Sequence, residues 1–84
     1  MKTTASGVKL VIYAGTWMGV WRWVEKTALA LQERGVIVEI RSPEEAPEDV
    51  VVLPTYIVID SGGSEVSRAS GAQSLSDLVE LCSL

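Results

Sequence analysis

Apolar residues fall along this chain in blocks whose spacing changes from one block to the next. Val8, Leu10, Val11, Ile12 and Tyr13 form a short, β-branched and nearly continuous apolar run, the pattern of a strand covered on both faces. Ala14, Gly15 and Thr16 break it, and helix formers then dominate from about Met18 to Arg34, with Gly35 placed to end the helix. Within that block Trp21, Val24, Ala28 and Leu31 share one helix face, while Arg22, Glu25, Lys26, Gln32 and Glu33 occupy the others. The spacing predicts an amphipathic helix packed on a sheet. Val36 to Ile40 reads as a second strand, and strand, helix and strand within about 30 residues make a parallel βαβ unit with a right-handed crossover.

The second half has a different rhythm. Ser42 to Asp49 carries Pro43 and Pro47 with the carboxylates Glu44, Glu45, Glu48 and Asp49. It lacks the Gly-centred ligand spacing of a hard-cation loop and reads as a solvated connector with one helical turn. Thr55 to Asp60 is a third strand, Ser61-Gly62-Gly63-Ser64 a hairpin turn, and Glu65 to Ser70 the returning antiparallel strand. Gly71 ends the sheet, Ser74 is placed to cap a last helix, and Leu75, Leu78, Val79 and Cys82 line its apolar face.

With 84 residues, the chain is expected to form a single domain over residues 1–84. Its composition, 48% apolar and 21% charged, is too hydrophobic for disorder, and no apolar run reaches the length of a membrane span. No membrane partner is expected. Seven basic residues against eleven acidic give a net charge of -4, and Lys2, Lys9, Arg22, Lys26, Arg34, Arg41 and Arg68 are scattered, so a direct nucleic-acid partner is not expected either. With no histidine and one cysteine, zinc ligation, a Cys-His pair and an intramolecular disulfide are excluded by count, and no cofactor is indicated. Lys2 is not followed by a long apolar stretch with a small-residue cleavage site, which points to the cytoplasm.

The order βαβ then ββα, with Pro54 just before the hairpin, is similar to the thioredoxin-like fold, and local residues tighten the comparison. Trp17-Met18-Gly19-Val20-Trp21-Arg22 resembles the family's Trp-Cys-Gly-Pro-Cys-Lys/Arg segment. Leu53-Pro54-Thr55 resembles its cis-proline-threonine, Gly62-Gly63 its hairpin turn, and Ser70-Gly71-Ala72 its Val-Gly-Ala loop. The resemblance implies an α/β domain with a minimal four-stranded mixed sheet flanked by helices, and a cis Leu53-Pro54 bond. In length the chain is nearer the glutaredoxin core, without room for the larger family members' extra N-terminal strand and helix.

What the resemblance does not carry over is the chemistry. In thioredoxins two cysteines at the start of a helix supply the thiolate that attacks a disulfide and the thiol that resolves it. The matching positions hold Met18 and Trp21, and the family's buried aspartate maps onto Ile12. A thioether and an indole perform neither half of the exchange. An indole would desolvate a carboxylate beneath it, so an apolar Ile12 fits a rebuilt hydrophobic contact, with Trp21 in the core and touching Ile12.

Trp17, Trp21 and Trp23 cannot share one helix face, because two residues at about 100° each place Trp23 roughly 200° from Trp21. At least one indole is expected to meet solvent and to serve as a contact residue. By resemblance, the binding edge comprises Trp17, Met18, Gly19, Val20, Leu53, Pro54, Gly71 and Ala72, where thioredoxins receive extended peptides on the backbone before the proline. The reading is a redox-inactive, protein-binding or accessory module, and not an enzyme. One alternative is residual oxidoreductase or glutathione-dependent activity through Cys82, which otherwise reads as a small buried hydrophobe on the last helix. Another is a structural or oligomer-forming component.

Overall fold

The computed structural model describes residues 8–82. Strand β1 (Lys9–Tyr13) leads through two turns into helix α1 (Trp21–Glu33), followed by β2 (Ile37–Arg41) and a single 3-10 turn, Pro43–Glu45. After a connector come β3 (Thr55–Ile59), β4 (Glu65–Ser70) and α2 (Leu75–Leu81). The sheet order is β2-β1-β3-β4, with β1 and β2 parallel and the other neighbours antiparallel. This is the mixed four-stranded sheet that the resemblance implied.

Alternation along β1 divides the core in two. Leu10, Ile12 and Ala14 face α1 and α2 and cluster with Val24, Ala28, Leu31, Tyr56, Val58, Leu78 and Cys82. Val11 and Tyr13 point the other way, where Ile57 joins them under Ala46, Val50 and Leu53 of the connector. Continuous apolarity in β1 thus reflects cover on both faces, by helices on one side and by an irregular segment on the other.

Local capping explains where the elements end. Helix α1 begins at Trp21, three residues later than its pattern suggests. The Met18 N–H donates to the Gly15 carbonyl and the Trp21 N–H to that of Met18, so two successive turns occupy this stretch before the bond from Val24 to Val20 opens the α ladder. At its other end the Gly35 N–H donates to Gln32 and the Val36 N–H to Leu31, the paired bonds of a Schellman cap, which Gly35 completes at φ 93°. Val36 is used in that cap, so β2 starts at Ile37 and not at Val36. Ser74 and Asp77 form a reciprocal capping box at α2.

Two side chains depart from expectation. Thr27, a polar residue, is buried beside Val24, Ala28 and Leu31, and its hydroxyl donates to the carbonyls of Trp23 and Val24 at 3.0 Å. Trp21, expected inside the core, is only partly buried. It packs against the cluster that contains Ile12, but at the first residue of α1 it stands at the rim and not within the layer.

Candidate functional site

Three loops meet at one end of the sheet. Antiparallel pairing sets Tyr13 opposite Thr55, and Thr55 opposite Ser70, so the segments after β1, before β3 and after β4 emerge side by side. The Gly71 N–H donates to the Pro54 carbonyl at 2.8 Å, joining two of them directly. The Leu53-Pro54 peptide is cis, Pro54 is buried, and the Thr55 hydroxyl donates to the Val52 carbonyl. Leu53 turns its side chain into the second core cluster, and no hydrogen bond among the described residues uses its N–H or C=O.

The loop after β4 is held from two sides. Gln73 donates from its side-chain amide to the carbonyls of Ser70 and Gly71 at 3.1 and 3.2 Å. The Trp23 ring N–H donates to the Gln73 carbonyl at 2.8 Å, tying α1 to the loop that carries Gly71 and Ala72. Sequence reasoning gave Gln73 no role and read Trp23 only as an indole off the Trp21 face that could meet solvent. The available signal was an amide in a loop of small residues, and an indole outside the apolar stripe whose polar atom needs an acceptor.

At the start of α1 the Met18 sulfur accepts from the Gly15 N–H at 3.2 Å, so the thioether folds back onto its own loop. Gly19 is exposed and Val20 half-buried. Trp17 is 73% exposed and its six-membered ring lies over Gly15, where a Cβ would collide with it. A concavity of about 270 Å³ is lined by Trp17 and Trp21 on one side and by Ile40, Arg41, Ser42 and Pro43 on the β2 side. The structure therefore brings Leu53, Pro54 and Gly71 together and sets the two indoles toward β2. None of residues 14–20, 53–55 or 70–73 carries a charge.

Cys82 lies elsewhere. It caps the C-terminus of α2 beside Val8, Val58 and Asp60, at the opposite end of strands that run roughly 15 Å. The thiol is buried and free, and burial pushes its pKa up, which disfavours the thiolate. Among the described residues no cluster of acidic, His or Cys side chains could hold a metal ion, and no helix is long and apolar enough to cross a membrane.

No family model and no curated protein matches the sequence. Solved structures do match. Fasciola hepatica thioredoxin superposes with a TM-score of 0.75 at 25% identity, over 90% of this chain and 78% of that one. Oxidised thioredoxin from Plasmodium falciparum gives 0.74 at 18% identity, over 95% and 83%. Deadhead, the germline-specific thioredoxin of Drosophila melanogaster, gives 0.74 at 20%, over 94% and 82%. On these superpositions, which cover nine-tenths or more of its length, the chain has the thioredoxin-like fold.

Proposed function

We propose that this protein is a binding module of thioredoxin-like fold that takes an extended, largely apolar peptide segment at the uncharged loops around Pro54 and Gly71, without dithiol-disulfide exchange. One observation carries the reading: that end of the sheet holds no ionisable sulfur. The helix-start sulfur is the Met18 thioether, engaged with the Gly15 N–H, and the sole thiol, Cys82, is buried at the far end of the sheet. Exchange needs an attacking thiolate and a resolving thiol, and one cysteine per chain supplies at most the first.

Binding, in contrast, needs no sulfur. Leu53 offers an N–H and a C=O free of partners among the described residues, which a strand-like ligand engages through its own backbone. Gly71 is anchored to Pro54, and Ala72 adds little bulk, so a peptide backbone can approach both. A loop set without charge suits apolar side chains on the ligand.

Two measurements test this. Insulin-disulfide reduction with a thiol donor should proceed at the uncatalysed rate; turnover abolished by Cys82→Ser would make the protein a monothiol enzyme. Peptides selected against the chain from a display library should shift the amide resonances of Leu53, Gly71 and Ala72. Selected peptides that consistently shift other amides and spare these three would remove the proposed edge.

A further inference from the structure

The two outer strands of the sheet are unlike one another. β4 is irregular, with a register shift between Val58 and Ile59 against it, the kind of local distortion that blunts an edge. β2 pairs with β1 in unbroken register from Ile37 to Arg41, and among the described residues no strand lies along its other side. The Ala14 N–H donates to the Arg41 carbonyl, so Arg41, Glu39 and Ile37 turn their backbone groups toward β1. Alternation then aims the N–H and C=O of Val38 and Ile40 outward. Around this open edge Ile37 is 60% exposed, Leu29 61% and Ile40 37%. Leu29, Val38 and Ile40 line a groove of about 430 Å³ between α1 and β2.

The charges on β2 select what fits. We propose that the β2 edge pairs antiparallel with β2 of a second copy of this chain about a two-fold axis at Ile40, continuing the sheet through a symmetric dimer. In this register the two Ile40 residues exchange both backbone bonds, as their outward groups allow, and Glu39 stands opposite the partner's Arg41 on each side of the axis. Those positions form non-hydrogen-bonded pairs, where side chains come closest. Within one chain the Arg41 guanidinium already reaches the Glu39 carboxylate, and the Lys9 ammonium approaches it at 3.6 Å, so the dimer closes a ring of alternating charges on that face. On the opposite face Ile40 meets its own copy beneath Leu29.

Other registers lose this match. An axis at Glu39 sets like carboxylates opposite each other, an axis at Arg41 sets guanidiniums opposite, and an axis at Val38 sets Glu39 against Ile37. Both charges on β2 are thus satisfied only with the axis at Ile40. This surface lies apart from Leu53, Gly71 and Ala72, so the dimer and the peptide-binding reading stand or fall separately.

Sedimentation equilibrium of the full 84-residue chain, loaded up to about 1 mM, the weak end of measurable affinity, tests the pairing. The mass should rise from one protomer to two. Glu39→Arg alone and Arg41→Glu alone should each weaken association at least about tenfold, because each replaces two attractive pairs by two repulsive ones. Mixing these two single variants should restore a dimer containing one of each, and the double variant should self-associate again. If a single reversal fails to fold by circular dichroism, Ile40→Lys must abolish the dimer in its place. A wild-type chain that stays monomeric, a dimer indifferent to the reversals, or an Ile40 amide that responds only to a foreign strand-forming peptide would each overturn the proposal.

Discussion

Ile12 and Tyr56 stand directly opposite each other on β1 and β3, and the hydroxyl of the fully buried Tyr56 finds no hydrogen-bond partner among the described residues. An aliphatic side chain can neither donate to that hydroxyl nor accept from it, and the surrounding cluster is apolar. A buried polar atom without a partner costs about 1 to 3 kcal/mol of desolvation, whereas an apolar replacement of the same shape costs little. Tyr56→Phe should therefore raise stability by about 1 kcal/mol, read as a higher urea midpoint at unchanged slope. A loss of stability would mean that the hydroxyl is satisfied in solution.

The same residue and Cys82 set the response to alkali. Burial pushes both the Tyr56 phenol and the Cys82 thiol above their ordinary pKa values. Each group with a raised folded pKa contributes stability that is complete below its unfolded value and is lost as pH rises through the folded one. The unfolded values are about 8.5 for a thiol and about 10 for a phenol, so the urea midpoint in reducing buffer should fall above about pH 9. Cys82→Ala should remove the lower part of that decline, and Tyr56→Phe the upper part.

Trp23 acts through its ring nitrogen. Trp23→Phe keeps most of the apolar surface and deletes the bond to the Gln73 carbonyl, which should lower stability by about 1 kcal/mol. Amide hydrogen exchange at Gly71, Ala72 and Gln73 should quicken by more than the global change explains. Equal acceleration throughout the chain would show that the bond does not hold this loop locally.

Trp17 and Gly15 are coupled sterically. Trp17→Ala should change stability by less than about 0.5 kcal/mol, since most of the ring is in solvent. Gly15→Ala should displace the indole and move its N–H resonance, at a cost of about 1 kcal/mol. In the double variant most of that cost should disappear, because the obstructing ring is gone. Additive effects on unfolding free energy would mean that the ring does not cover Gly15.

Much of the fold was legible in the order of residues because the relevant forces are local. A nearly continuous apolar run placed β1, the Gly-Gly turn signal set off β3 from β4, and period-3.6 spacing placed both helices; Glu65 to Ser70 coincides with the observed strand. Ser74 declared the start of α2, where Asp77 completes the cap in the structure, and Gly35 declared the end of α1. The hairpin, too, was written locally: Asp60 accepts from the Gly62 and Ser64 N–H groups at 2.9 and 3.0 Å, and Gly63 takes φ 88°.

The sequence by itself also determined that one cysteine and no histidine are available, a count that no folding can change. Tertiary structure decided the rest. Burial of Trp21 depends on how far the sheet extends beneath the first turn of α1, which no periodicity contains. The bond from Trp23 to Gln73 spans fifty residues, and the second face of β1 is covered by an irregular connector with no pattern of its own. The exposure of Ile37 and Ile40 follows from β2 lying at the edge, a consequence of strand order. An apolar residue reads alike in a central strand and in an outer one, because only its neighbours in space determine whether its surface leaves water.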